Sequence, residues 1–290
     1  MIRVGIVGTD NSHARYFSEM MNREDYVFHV PGFRAVAICG DDPILTKQIA
    51  ETYEIEHICE SPQHMLRTVD AAMIEYRHGS RHAEAAKLFL KNRIPLFIDK
   101  PLTSDTKEAE EILDMANLYN TLLTSYSTLR FEESNQAFYE TLKAKGDVKY
   151  LILTSPADKN SEYDGIFFYA VHPVEVMNQV LGCGASSVLA LEQDSNIVAL
   201  IRHRVGATVC INLLGYPGAK GMSVSAFCAN DWATKHDLFV WPACFRDGFA
   251  VFARMLQTGK APLGFEEMLE PVKVLAAINE SLRAGREIGI

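Results

Sequence analysis

The chain has 290 residues, 48% of them hydrophobic and 22% charged, with a formal net charge of -9. That length accommodates two domains, or one large one, with well-buried cores, and the composition is that of a soluble globular protein. An acidic balance with no Lys/Arg cluster excludes a nucleic-acid backbone as partner, and no apolar run approaches the ~20 residues that span a bilayer.

The opening MIRVGIVG is a strand pattern without the charged-then-apolar layout of a signal peptide. Six cysteines (Cys39, Cys59, Cys183, Cys210, Cys228, Cys244) contain no CxxC pair, so neither a zinc knuckle nor a disulfide framework is indicated. A cytoplasmic location is expected, with most thiols inert in the core.

Short β-prone runs at Ile2–Val7, Ala35–Ile38, Ala71–Ile74, Leu96–Ile98 and Leu122–Thr124 alternate with amphipathic stretches. Ala14, Phe17 and Met21 line one helix face, and Ala109, Ile112, Leu113 and Ala116 line another. Asp105 with Glu108 has the spacing of a capping box, and Ser61-Pro62 predicts the start of a further helix. This βαβ rhythm predicts a doubly wound parallel sheet over residues 1–125.

After Arg130 the rhythm changes. Strands are expected at Val148–Thr154, Val188–Glu192, Ile197–Arg202, Ala207–Leu214, Met222–Cys228 and Leu238–Trp241, interrupted by one helix around His172–Leu181. A helix over Pro271–Ala284, stopped by Gly285, closes the chain. Consecutive strands predict an α+β domain over 126–290 with a large, mostly antiparallel sheet. Such a sheet, helix-covered on one side, leaves an apolar face to bury, which predicts a homodimer or homotetramer.

The first strand runs into GTDNSH (Gly8, Thr9, Asp10, Asn11, Ser12, His13), where a dinucleotide fold places G-x-G-x-x-G. Only Gly8 survives; Asp10 and His13 take the places of the second and third glycines. Asp10 would repel a pyrophosphate, whereas the helix N-terminus, capped by Asn11 or Ser12, would attract it. His13 either packs or contacts substrate. At the end of the second strand Asp41 and Asp42 lie near where an acid binds the adenosine ribose, or they form a turn and helix start. No arginine follows at once, which favours NAD over NADP.

Farther on, IPLFIDKPLT ends an apolar run in Asp99 and Lys100, and Pro101 forbids the strand from continuing. A lysine is thereby held at the carboxyl end of a buried strand, where open α/β sheets collect ligands. His78 and His82 have the spacing of a zinc pair on a helix, but Gly79 between them indicates a loop and no third ligand is evident, so no metal is expected.

With DKPLT, TLLTSYSTLRF, DGIFFYAVHPVEVM, FARMLQTGKAP and the closing GFEEMLEPVKVLAAINESLRAG, the chain resembles the Gfo/Idh/MocA oxidoreductase family over essentially its whole length. The specific elements are Asp99-Lys100-Pro101, matching the family's E/D-K-P motif, and the downstream His172. The resemblance implies a Rossmann domain joined to an open-sheet domain, and NAD(P)-dependent oxidation or reduction of a carbon–oxygen bond on a sugar, inositol or related polyol. It implies that Lys100 contacts nicotinamide ribose and substrate and that His172 is the acid/base. Glu175 falls where the family often has Asp, while Phe168 replaces an acid usual just before the histidine.

Hydride transfer from an alcohol needs a base for the hydroxyl proton and a positive group for the developing alkoxide. His172 and Lys100 are the candidates, with Glu175, three residues on, orienting the imidazole or binding a substrate hydroxyl. Tyr126 and Arg130 lie just beyond the last Rossmann strand; Arg130 either clamps an anion or pairs with Glu132 or Glu133. Tyr163 and Tyr169 are expected in the substrate pocket. Two other functions remain open: hydrolase or lyase chemistry with transiently reduced NAD, and a non-catalytic metabolite- or nucleotide-binding regulator.

Overall fold

A computed structural model describes residues 1–290. The first sheet is built from β1 (Ile2–Val7), β2 (Phe33–Cys39), β3 (His57–Ile58), β4 (Ala71–Ile74), β5 (Leu96–Ile98) and β6 (Leu123–Ser125). Its connections carry α1 (Ser12–Asn22), α2 (Pro43–Thr52), α3 (His82–Lys91) and α4 (Thr106–Leu118). The strands are parallel in the order β3-β2-β1-β4-β5-β6. Helices cover both faces, so β4 and β5 are buried throughout and read as unbroken apolar runs. The strand order reverses between β1 and β4, and a crevice opens at their carboxyl ends.

After α5 (Glu133–Lys143), the second sheet comprises β7 (Val148–Pro156), then, beyond α6 (Phe167–Leu181), β8 (Ala185–Gln193), β9 (Asn196–His203), β10 (Thr208–Leu214), β11 (Ser223–Cys228) and β12 (Trp232–Lys235). Then α7 (Ala243–Thr258) and α8 (Phe265–Ala284) lead to β13 (Ile288–Gly289). The order is β12-β11-β7-β10-β9-β8-β13, antiparallel except for β7 beside β10. Alternation is clean along β9, where Ile197, Ala199 and Ile201 are buried while Val198 and Leu200 are exposed. Cross-strand pairing continues that open face through Leu191 and Cys210 to Phe227 and Trp232.

Several elements differ from expectation. Ser61 makes no capping bond, and Pro62–Met65 is a single 3-10 turn instead of a helix. Met65 is fully buried, and the backbone N–H groups of Thr68 and Val69 close on its carbonyl before Asp70 joins Arg3 beside β1. Asp105 caps α4 by accepting from the N–H groups of Lys107 and Glu108, but the Glu108 carboxylate accepts from Thr103 Oγ1 at 3.0 Å, so the box is not reciprocal. Leu238–Trp241 forms no strand; β12 precedes it. Leu238 is buried with its N–H bonded to Met222 and its carbonyl accepting from Asn135 Nδ2, so the apolar run reported burial, not sheet pairing. Helices α5 and α7 were not among the expected elements, and α8 begins six residues before Pro271. The thiols of Cys39 and Cys244 are buried, which pushes each up to about 12, whereas the other four cysteines are half-buried. No helix is long and apolar enough to cross a membrane.

Gly8 sits at the turn out of β1 with φ +95°, and a Cβ there would lie 2.7 Å from the Tyr76 backbone nitrogen. Gly8→Ala combines left-handed strain with a clash against backbone that cannot yield, so it should destabilise the fold by about 2–4 kcal/mol in urea titrations. A loss below 0.5 kcal/mol would contradict this packing.

Candidate active site

Strands β1, β4 and β5 deliver three segments to one edge: the first turn, Glu75–Arg77, and Asp99–Pro101. Asn11 caps α1, its side-chain oxygen accepting from His13 N–H at 3.4 Å, and its amide donates to Asp99 Oδ2 at 3.0 Å. His13 Nδ1 lies 2.8 Å from the same oxygen, so the histidine faces inward and is buried. Burial acts to raise the Asp99 pKa, but His13, with Lys100 and His82, overrides it and holds the carboxyl below its usual range. Asp10 Oδ2 accepts from the Arg77 N–H, beyond the end of β4, at 3.3 Å. Thr9 Oγ1 bonds Thr46 Oγ1 at 3.0 Å over Gly40, where any Cβ would collide with Thr9. Ser12 opens α1 and is exposed.

Glu75 was missed in the sequence. It is completely buried, and burial followed by the charge of Asp99 pushes its carboxyl well above the ordinary range. A signal existed: Glu75 follows an apolar run as Asp99 does, and Ile74 pairs with Ile98 in the parallel register, so the two acids must be neighbours.

The acids after β2 divide their roles. Asp42 caps α2 by accepting from the N–H groups of Ile44 and Leu45, whereas Asp41 is held bidentately by Arg81, with Nη2 donating at 2.8 Å. The Arg81 guanidinium lies 4.0 Å from the centre of the Tyr76 ring. Arg81 and Tyr76 line a cavity of about 300 Å³ together with Pro62, Gln63, Ser80 and Glu84, among others. No arginine follows Asp41 at once in the sequence, but the fold brings one to it from 40 positions away. The cavity beside Arg81 and the N-terminus of α1 fit a dinucleotide lying across the crevice.

Lys100 is buried, which lowers its pKa. Its Nζ donates to the Phe168 carbonyl at 3.2 Å and stands 4.3 Å from the Phe168 ring centre. His172, on α6, is also buried; burial and then the Lys100 charge push its pKa well below 6.5, so the imidazole is neutral at physiological pH. Nδ1 is engaged with Ser127 Oγ at 2.8 Å, leaving Nε2 for other chemistry. Tyr169 and Phe239 stand edge-on to the imidazole and help line a cavity of about 500 Å³ with Pro156, Lys220, Asp237 and Trp241. Of these lining residues only Tyr169 was expected. Ser127, Phe239 and Trp241 carry no local signal.

Other expected site residues lie elsewhere. Tyr126 is fully buried between Phe97 and Phe131, and its hydroxyl donates to the Gly248 carbonyl at 2.7 Å, so it joins the domains and does not face substrate. Glu175 does not orient His172, and Arg130 does not pair with Glu132 or Glu133. Instead buried Arg130 binds Glu175 Oε2 at 3.3 Å, Glu267 Oε1 at 2.6 Å and Gln179 Oε1 at 2.9 Å, joining the 3-10 turn before α5 to α6 and α8. Tyr163 accepts from Arg77 Nη1 at 3.2 Å and fastens the loop before α6 to the loop after β4. His82 is turned inward to the carbonyls of Tyr76 and Pro101 while His78 faces Asp164, so the two share no ligand direction.

Removing Arg130 leaves Glu175 without its buried partner, so at pH 8, where that carboxyl is ionised, Arg130→Met should lower stability by about 3–5 kcal/mol, and an added Glu175→Gln should restore part of it. Burial raises Glu175 to about 7 despite Arg130. Between its ordinary 4.5 and about 7 the folded protein retains a proton that the unfolded chain has released, so stability falls as pH rises. Glu175→Gln should flatten that slope in denaturation curves taken from pH 4.5 to 7; an unchanged slope would refute the assignment.

Residues 2–127 match the profile of the Gfo/Idh/MocA group, described as an oxidoreductase family with an NAD-binding Rossmann fold. No curated protein sequence matches the chain. Among solved structures, myo-inositol 2-dehydrogenase from Lactobacillus plantarum superimposes with a TM-score of 0.87 at 15% identity, covering 100% of this chain and 99% of that one. Scyllo-inositol dehydrogenase from Lactobacillus casei, with bound NAD(H) and scyllo-inositol, gives 0.86 at 13% identity over 100% and 99% of the two chains. A myo-inositol dehydrogenase from Corynebacterium glutamicum gives 0.84 at 14% identity over 100% and 99%. Residues 2–127 thus match the NAD-binding Rossmann domain of the Gfo/Idh/MocA oxidoreductase family, and the chain shares the fold of these structures from end to end.

Proposed function

We propose that the protein is an NAD(H)-dependent dehydrogenase or reductase acting at a hydroxyl or carbonyl carbon of a sugar, polyol or hydroxy-acid-like substrate. The observation that carries this reading is the placement of Lys100 and His172, one from each sheet's domain, both buried and both against Tyr169, which lines a cavity of about 500 Å³. The solved relatives that act on inositols support the substrate class. Nicotinamide, when bound, supplies or accepts the hydride. The first turn, Asp41 and Asp99–Pro101 would hold the cofactor.

With Nδ1 protonated and donating to Ser127 Oγ, the His172 Nε2 lone pair takes the hydroxyl proton from substrate. Lys100 presents a positive charge, in a site of low dielectric, to the oxygen on which negative charge develops. Tyr169, Phe239 and Trp241 supply apolar walls that exclude water, and Lys220 and Asp237 offer polar partners to substrate hydroxyls. A non-catalytic nucleotide or metabolite binder is the second reading, favoured by Asp10 in the first turn and by Arg81 on Asp41. Free cysteines suit a reducing, cytoplasmic compartment.

Screening inositols, sugars, sugar acids and hydroxy acids for NAD reduction identifies the substrate. Lys100→Met should then lower turnover by ~10²–10³-fold with little change in stability. His172→Asn should lower it by ~10²–10⁴-fold and abolish the acid limb of the kcat/KM profile, which should lie below pH 6.5 in the wild type. Near wild-type rates in both variants would refute the site. Ligand binding without turnover of any substrate would select the second reading.

The open face of the second sheet exposes Leu191, Val198, Leu200, Phe227 and Trp232. We propose that it is the contact surface of a homodimer or homotetramer. Light scattering at tens of micromolar should give two or four times 32.4 kDa, and Leu200→Glu should shift the mass to that of the monomer. A wild-type monomer under those conditions would end the proposal.

A further inference from the structure

Glu75 has no part in the chemistry above, yet it is completely buried at the crevice floor and neither of its carboxylate oxygens has a hydrogen-bond partner. Its Oε2 lies 3.8 Å from His13 Nδ1. Nδ1 is also 2.8 Å from Asp99 Oδ2, but that contact is not aligned as a hydrogen bond, and Asp99 Oδ1 is unpartnered too. One imidazole nitrogen and two carboxylate oxygens therefore lie within 4.8 Å of one another.

Buried carboxylate oxygens without a partner are costly, and the chain's own groups leave both Glu75 oxygens and Asp99 Oδ1 without a hydrogen bond. Lys100, the neighbour of Asp99, is directed to the Phe168 carbonyl and ring and ion-pairs with neither acid. Asn11 satisfies Asp99 Oδ2 alone. A proton on Glu75 would remove its charge but leave an O–H without an acceptor.

We propose that His13, Glu75 and Asp99 bind a divalent transition-metal ion of the zinc or manganese class. One imidazole with two carboxylates suits those ions, whereas calcium and magnesium favour all-oxygen sets. The ligands are fixed before any ion arrives. Glu75 and Asp99 leave adjacent parallel strands, and the His13 ring is held edge-on by Phe17 and Phe245, with centroids 6.2 and 4.7 Å away. The Asn11 amide on Asp99 is the kind of outer contact that orients a ligating carboxylate. The remaining coordination positions would take water or a substrate oxygen at the edge that presents Lys100.

The test is made on wild-type protein without nicotinamide or substrate, so it is independent of the proposed reaction. Protein stripped with a chelator is titrated with Co²⁺, then with Zn²⁺ in competition. One equivalent of Co²⁺ should bind, with visible absorption bands that Zn²⁺ displaces. Glu75→Gln and His13→Gln, each confirmed folded by circular dichroism, should lose the bands and weaken binding by about 100-fold or more. Should either variant fail to fold, anomalous diffraction at the cobalt edge from wild-type crystals locates the ion without it. Failure of the wild type to take up Co²⁺, Zn²⁺ or Mn²⁺ at one equivalent would overturn the proposal. So would unchanged affinity in folded Glu75→Gln, or anomalous density away from these three residues.

Discussion

Asp99 fastens the first turn to the strand that presents Lys100. Its carboxylate is fully buried, receives the Asn11 amide and lies against His13, so the start of α1 is held to the end of β5 across the crevice. In a glycine-rich first turn the backbone itself would set that approach. Here side chains do so: Thr9 over Gly40, Asp10 on the Arg77 N–H, and Asn11 on Asp99. A rigid edge results, and Lys100 emerges from it with its ammonium directed at α6.

The second domain completes the site because it is packed into the first, α7 against α1 and α8 against α4. Helix α7 brings Phe245, Phe249 and Phe252 into contact with Phe17, Phe33 and Phe97, forming one aromatic core across the boundary. Arg130 binds α6 to α8, and Ser127 meets His172 directly. The position of His172 relative to Lys100 thus depends on buried contacts whose loss would loosen both domains. Burial also sets the chemistry, since the pKa values of the Lys100 ammonium and the His172 imidazole are both depressed by desolvation and the imidazole further by its cationic neighbour.

Local sequence carried much of this architecture. The first-sheet strands were legible because parallel strands covered on both faces are short apolar runs, and Ile2–Val7, Ala71–Ile74 and Leu96–Ile98 fall where β1, β4 and β5 do. Where apolar character reported burial alone, as at Leu238–Trp241, it misled, since a residue can be buried with its backbone bonded to side chains and turns. Helices α5 and α7 were missed although a stripe was present: on α7, Phe245, Phe249 and Phe252 recur at i, i+4 and i+7 on one buried face.

What the sequence determined by itself is the fold class, the lysine at the end of β5 and the histidine on α6, because strand ends and proline breaks are written in adjacent residues. The partners were decided only by the tertiary structure. Arg81 reaches Asp41, Ser127 holds His172, Arg130 takes Glu175 and Glu267, and Tyr126 turns inward to Gly248. Each of these contacts joins residues 40 or more positions apart, and a charged or hydroxyl side chain carries no local mark of which distant group will satisfy it. Burial makes such pairing obligatory, but chain topology chooses the partner.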